Sequence, residues 1–196
     1  EPGLHNPLLL PGRGVGYVSD PTPGRHTAAP MARIDGGDGK AGPYPELTIQ
    51  GFERYNSSGK GPMSATLSSY LQVGNCAGIC LMPLLFFGNY PLIEFFNAVT
   101  GLDTDIAEAL ETGRRIQTLR QCFNIREDIQ ASDTKLPGRL SGEPPLRDGP
   151  LSDVTIDVDA MQQEYFQSMG WDPHSGKPKP ETLEELGLSS LITNYG

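Results

Sequence analysis

A mostly α-helical fold with long Gly/Pro-rich loops and little or no sheet is predicted for this 196-residue chain. Three observations carry that reading. Apolar residues recur at helical spacing through the middle of the chain. Strand-like alternation is weak throughout. Gly (24) and Pro (18) together exceed a fifth of the residues, which commits much of the chain to turns and extended loops.

Residues 1–62 are the Gly/Pro-rich part. They hold one short apolar patch at 15–18, followed by "DPTPG", in which each Pro fixes φ and Gly24 permits a tight reversal. "RIDGGDGKAGPYP" reads as a flexible loop or the site of an insertion. Residues 63–73 are a plausible helix leading into "GNCAGIC" and the apolar block "LMPLLFF". In "YPLIEFFNAVTG", Leu92, Phe95, Phe96 and Val99 fall at helical spacing, with Pro91 in the first turn and Gly101 as the stop. The clearest helix is "DTDIAEALETGRRIQTLRQCFNIRE". Its predicted apolar face is Ile106, Ala109, Leu110, Gly113, Ile116, Leu119 and Phe123. Asp105 with Glu108 suits a capping box. Gly113 in mid-helix costs about 1 kcal/mol against Ala, so it marks the close approach of another backbone. Arg114, Arg115, Arg120 and Arg126 lie toward the negative helix end and read first as a solvated face, with an interdomain salt-bridge strip as the alternative. After an irregular stretch, a short helix over 158–169 carries Met161, Tyr165 and Met169 four apart, a core stripe. "ETLEELGL" is a final helix, opened by Pro180 and closed by Gly187.

Apolar residues, 37% of the chain, concentrate between Leu67 and Ile125, and that region can build a core. The formal net charge of −9, with no basic run, argues against a phosphate backbone as partner. The longest apolar run, 77–87, is too short to span a bilayer and contains Pro83, so no membrane association is expected. The opening "EPGLHNPLLLPGRG" lacks the pattern of a secretory leader, and the three cysteines are an odd number. A reducing, cytoplasmic setting is expected on those grounds. The chain does not open on Met, and the expectation is an excised part of something longer.

"GNCAGIC" poses the chemical question. Cys76 and Cys80 lie four residues apart, a spacing that suggests metal ligands or a redox pair, yet no other Cys lies nearby to complete a set. The spacing suits no standard zinc site, and no histidine is paired with them. The competing reading is a pair of buried spectator thiols, and Cys122, beside Phe123 on the long helix, reads as core.

Taken in order, "N-x-x-G-I-C", an apolar block, "AVTG", "GRRIQTLRQCFNIRE", "LPGRL", "EYFQSMGWD" and "LEELGL" resemble the C-terminal portion of the tungsten-containing aldehyde ferredoxin oxidoreductase family. The family shows a D-x-x-G-L-C turn, a G-x-R-I-x-x-L-x-R-x-F-N-x-R-E helix and a G-W-D helix end in the same succession. His5-Asn6-Pro7, Tyr17 and His26 look like its H-D-P…Y…D-H region, and residues 32–60 do not align. The long arginine-rich block is specific, and the others gain weight in combination.

The resemblance implies a three-domain enzyme that oxidises an aldehyde to a carboxylic acid at a tungsten (or molybdenum) ion held by two pterin dithiolenes. Electrons leave through a 4Fe-4S cluster to ferredoxin. It makes residues 1–62 the tail of the preceding helical domain plus linker, and 63–196 the C-terminal helical domain. It implies that Cys80 is the fourth cluster ligand, soft sulfur suiting iron, and that Asn75, Gly78, Ile79 and Cys80 form the turn that contacts a pterin. Asn75 stands where an aspartate is usual, which removes a charge and adds a donor. His26, with Tyr17, is the candidate for proton handling near the metal, since an imidazole titrates near neutral pH; a satisfied loop histidine is the competing reading. The three other cluster cysteines and the β-rich domain are missing from this sequence, so no cofactor and no turnover are expected of the chain alone. Upstream domains of the same polypeptide, ferredoxin and an aldehyde are the implied partners. A surface that those domains would cover also predicts self-association into a homo-oligomer. The runner-up is a non-catalytic, stand-alone helical binding domain related to that family.

Overall fold

The structure, a computed structural model, describes residues 5–28 and 30–194, and the side chains within them except those of 85, 86, 132 and 192–194. Residues 1–4 of the opening run read for a leader lie outside the described residues, as do the side chains of Leu85 and Phe86 in the apolar block. The elements are α1 (Pro11–Ser19), α2 (Met31–Gly36), α3 (Lys60–Cys76), α4 (Leu81–Phe86), α5 (Leu92–Thr100), α6 (Ile106–Arg126), α7 (Gly138–Ser141), α8 (Val158–Ser168) and α9 (Pro180–Glu185). Short 3-10 turns lie at Pro45–Leu47, Ala131–Asp133 and Ser189–Asn194. Extended pairing among the described residues is limited to two isolated bridges, Lys40 with Thr48 and Trp171 with Pro178. The fold is helical, as the periodicity predicts.

Helix α3 is the axle. It packs against α6 on one side and α8 on another, with α1, α2 and α4 also touching it. Small residues make this possible. A Cβ built on Gly61 would collide with the Met161 carbonyl of α8, and one on Gly113 of α6 would collide with the Ser69 carbonyl of α3. The backbones therefore meet at these two glycines, where any side chain would hold them apart. Ser64, Ser68 and Ser69 are buried along the same helix, which leaves α3 enclosed nearly all round.

Two apolar clusters flank this axle. One gathers Met31, Ile34, Leu47, Leu67, Tyr70 and Leu92. The other gathers Val15, Val18, Met161, Tyr165, Phe166 and Trp171. Met161, Tyr165 and Met169 are all buried, the core stripe that their spacing indicates. Tyr165 and Trp171 meet edge to face at 6.0 Å, and the indole Nε1 donates to Thr118 Oγ1 of α6 at 3.2 Å.

Several local signals appear as read. Asp105 accepts from the Glu108 amide while the Glu108 carboxylate accepts from the Asp105 amide, a complete capping box. Gly101 ends α5 with φ of 75°, and Pro180 opens α9.

Four expectations are corrected. The 11–19 stretch is not merely a patch: it is helix α1, and every residue of it is buried. Its glycines cost helix propensity but permit contact, Gly12 with Met31 and Asp35 and Gly14 with Ile156. "RIDGG" belongs to α2 in part rather than to a flexible loop, and its Asp35 is wholly buried. On α6 the buried line is Ala109, Gly113, Gln117 and Gln121, while Leu119 and Phe123 are about half exposed. The polar pair is buried because each finds a partner: Gln117 donates to Asp20 at 2.9 Å and Gln121 to the Gly176 carbonyl at 3.1 Å. Finally, most of the α6 arginines are fasteners. Arg114 reaches Glu185 through both Nη atoms at 3.2 Å, Arg115 donates to the Leu186 carbonyl at 2.7 Å, and Arg120 joins Asp20 and Thr22. Arg126 instead pairs with its exposed neighbour Glu127 and lies over the Phe123 ring of its own helix.

Candidate functional site

The "GNCAGIC" segment closes α3 and opens α4. At its centre Gly78 has φ of 74°, the left-handed region that glycine enters without strain. The Ile79 amide donates back to the Gly74 carbonyl at 2.9 Å and the Gly78 amide to Asn75 at 3.1 Å. This is a Schellman closure, and it turns the chain outward. Asn75, Cys76, Ala77, Gly78 and Cys80 are consequently exposed, with Ile79 alone tucked half-buried against the core. Cys80 then occupies the N-cap position of α4 with extended backbone. Neither Cys76 nor Cys80 is the buried spectator that the competing reading describes; Cys122 is buried.

The N-terminal residues singled out from sequence converge close by. The His5 amide donates to the Tyr17 hydroxyl at 3.1 Å, and the His5 and His26 rings meet edge to face at 5.6 Å. Arg13, inside α1, donates through Nη1 to the His26 carbonyl. Helix α1 thus supplies the rigid base, and the "DPTPG" reversal brings His26 back over it, with the Gly24 amide anchored to the Tyr17 carbonyl at 2.9 Å. Partial desolvation, then the charges of Arg13 and His26, hold His5 below its ordinary pKa of 6.5.

Two adjoining hollows connect these parts. The larger, about 550 Å³, is walled by His5, Arg13 and His26 from one side, by Arg33 and Lys40 from another, and by Leu81 and Met82. The smaller, about 140 Å³, is lined by Asn75, Gln72, Arg25 and Arg120. Thr27 and Leu81 line both. The structure therefore brings His26 and Asn75 to two hollows that share the walls Thr27 and Leu81, and Leu81 is the residue after Cys80. Asn75 Nδ2 donates to Gln72 Oε1 at 3.4 Å.

Sequence reading missed Arg13, Arg25, Arg33, Lys40 and Gln72 as wall residues, and took Arg120, inside the long arginine-rich block, for part of a solvated face. Only the fold assembles them.

The described residues contain no group of three or more His, Cys, Asp or Glu that could hold a metal ion together. No helix among those described is long and apolar enough to cross a membrane.

The family model for aldehyde ferredoxin oxidoreductase, domains 2 & 3, matches residues 1–188. The chain belongs to this family. Among solved structures, it is similar to a chain of the "Active site complex BamBC of Benzoyl Coenzyme A reductase in complex with 1,5 Dienoyl-CoA", with a TM-score of 0.56 and 21% identity. The match covers 78% of this chain and 22% of that one. At that identity the likeness speaks to the fold, and this chain spans about a fifth of its neighbour's length. Membership of the aldehyde ferredoxin oxidoreductase family accounts for the order of the sequence blocks along nearly the whole chain.

Proposed function

We propose that this chain is the C-terminal part of an oxidoreductase that converts aldehydes to carboxylic acids and passes the electrons to ferredoxin. In this reading residues 1–62 close the second domain and 63–196 form the third. The cofactors are a tungsten or molybdenum ion on two pterin dithiolenes, which would take two electrons from the aldehyde, and a 4Fe-4S cluster, which would carry them away.

The observation that supports this most directly is the exposed turn that ends in Cys80, next to the depression holding His26. Cys80 is the residue that would donate a thiolate to the cluster, with its other ligands supplied from outside this chain. The open backbone of Gly78 and the side chain of Asn75 would lie against a pterin edge, Gly78 because it carries no Cβ to obstruct a flat ring. Asn75 offers one acceptor and two donors there, where an aspartate would offer a charged acceptor only. His26, whose carbonyl accepts from Arg13 and whose ring meets that of His5, is the side chain to which this reading gives proton handling for the aldehyde. The chain alone, in this reading, neither holds the cofactors nor turns over.

Anaerobic expression of the complete gene product, followed by metal analysis and aldehyde-dependent viologen reduction, tests the proposal. Tungsten or molybdenum together with iron and aldehyde-dependent reduction support it. A purified protein free of iron and of both heavier metals would falsify it, and would favour the stand-alone binding domain.

A further inference from the structure

Helix α5 turns much of its apolar surface outward. Its buried residues are Leu92 and Ile93, both in the first turn. Phe95 and Val99 lie four apart on one face, and both are exposed, Val99 to 88%. Leu102, beyond the Gly101 stop, and Met82 and Phe87, before the helix, are exposed as well. The Tyr90 ring meets Phe95 edge to face at 5.4 Å, which carries this surface from α5 back to the loop after α4. Apolar surface of that extent marks a contact with another protein surface.

The charges beside it indicate what that other surface carries. Residues 61–113 hold five carboxylates, Glu94, Asp103, Asp105, Glu108 and Glu111, and no Lys or Arg. Arg33 of α2 reaches the segment from elsewhere, at Gly88. Glu94 stands among aromatic rings. Its carboxylate accepts from the Tyr44 hydroxyl at 2.6 Å, and that hydroxyl accepts from the Ile93 amide at 3.1 Å. The buried Tyr70 meets Tyr44 edge to face at 6.0 Å. Burial, then Tyr44, Glu94 and Tyr90, raise the Tyr70 phenol above its ordinary value, so these groups converge on it. A carboxylate beside tyrosine rings attracts an ammonium or guanidinium by its charge and by the ring quadrupoles together. A second copy of this chain would bring the same carboxylates to the contact, and like charges would oppose it.

Under the proposed function the other cluster ligands come from outside this chain and reach Cys80, the N-cap of α4. Helix α4 leads from there through Met82 and Phe87 into the exposed face. The body that supplies those ligands therefore lies beside it. We propose that the outer face of α5, with Tyr44, Tyr70 and Tyr90 around Glu94, seats another domain of the same polypeptide, which presents an apolar surface and sets a Lys or Arg side chain against Glu94. The source of that domain rests on the proposed function, and its chemistry on the exposed side chains and charges.

The test is thiol labelling of the complete polypeptide carrying Val99→Cys, read peptide by peptide in a mass spectrometer so that Cys76 and Cys80 are resolved from the introduced thiol. That thiol is expected to react about tenfold or more slowly in the native than in the urea-unfolded protein, as for a site that only opening exposes. Adding Glu94→Lys, or Glu94→Gln should the first not fold, is expected to speed the native reaction about threefold or more. Asp148→Lys, in the exposed loop after α7, is expected to leave it unchanged. Leu102→Cys is the second probe should Val99→Cys not fold. Equal labelling of native and unfolded protein overturns the proposal, because the face is then open or reserved for a separate protein. Protection that disappears on dilution to a monomer, followed by light scattering, assigns the face to a second copy and overturns it too. So does unchanged protection in the folded Glu94 variant. Metal content and viologen reduction of the same samples report separately on the proposed function. A protected thiol in a metal-free protein sinks that reading alone, and an unprotected thiol in an active enzyme sinks this one alone.

Discussion

Gly113 of α6 lies directly against the Ser69 carbonyl of α3, so near that a Cβ on residue 113 would overlap the carbonyl oxygen. The contact joins the longest helix to the one that the others pack around. Gly113→Ala gains roughly 1 kcal/mol of helix propensity but forces two backbones apart, for which overpacking costs of about 1–3 kcal/mol are usual and backbone displacement lies at the upper end. A net loss of about 1–2 kcal/mol is expected in urea or thermal unfolding. Gly36→Ala is the control, since a Cβ there meets nothing within 4 Å; it should be neutral or stabilise by up to about 1 kcal/mol. Equal behaviour of the two variants would contradict the packing at Gly113.

Lys60 and Asp35 form a buried pair, at 1% and 0% side-chain exposure. Lys60 also lies over the Phe52 ring, 4.6 Å from its centroid. Removing one partner strands the other's charge. Lys60→Met is expected to destabilise by about 3–5 kcal/mol, and the double variant Lys60→Met/Asp35→Asn should recover part of that loss. Denaturant melts of the two variants check it, and a double variant less stable than Lys60→Met would contradict it.

The Trp171 indole depends on Thr118 for its hydrogen bond, and both residues are fully buried. Thr118→Val keeps the shape and deletes the acceptor, leaving a buried N–H unsatisfied. A loss of about 1–3 kcal/mol is expected. Trp171 emission should remain that of a buried indole, which separates loss of the bond from loss of packing.

Asp172 organises the "GWDPHSG" loop: Oδ1 accepts from the Ser175 amide at 2.8 Å, the Ser175 hydroxyl at 2.7 Å and the His174 amide at 3.2 Å. The Ser175 bonds hold its carboxyl below the ordinary value of 3.8. A depressed folded pKa means that the stabilisation is fully present above 3.8 and is lost as pH falls through the folded value. Asp172→Asn should therefore melt lower than wild type near neutral pH, with the gap narrowing as the pH is taken below 3.8. A gap that stays constant with pH would place the effect elsewhere.

Cys80 and Cys76 are both exposed, yet the proposed function gives a task to Cys80 and none to Cys76. In the complete polypeptide, Cys80→Ser is expected to lower cluster iron and the visible absorbance of the protein, while Cys76→Ser leaves both at wild-type level. Retention of iron in Cys80→Ser would remove this residue from the ligand set, and loss in Cys76→Ser would add the other.

Legibility in the sequence follows the range of the interaction. The capping box at Asp105 and Glu108, the glycine stop at Gly101 and the Met161–Tyr165–Met169 stripe all depend on residues within one or two turns, and all were readable. Gly113 was readable as a close approach because a glycine inside a strong helix is costly, though its partner Ser69 was not. The burial of Gln117 and Gln121 in place of Leu119 and Phe123 was hidden, since it depends on Asp20 and the Gly176 carbonyl at the far end of long chain separations. The half-exposed Leu119 and Phe123 reflect the same rotation of α6. Of the residues lining the two hollows, His5, His26 and Asn75 could be named from their blocks, but Arg13, Arg33 and Lys40 could not.

The sequence by itself determined the helical class, the caps and stops of the main helices, the core stripe of α8 and the turn at Gly78, because each is settled by local backbone and side-chain chemistry. The tertiary structure decided that α1 is a helix in spite of its glycines, that Asp35 and Lys60 are buried together, and that His26 and Asn75 line neighbouring hollows. Those outcomes arise where segments distant in the chain desolvate one another, and the free energy of a buried charge or a close glycine contact depends on a partner that no local pattern specifies.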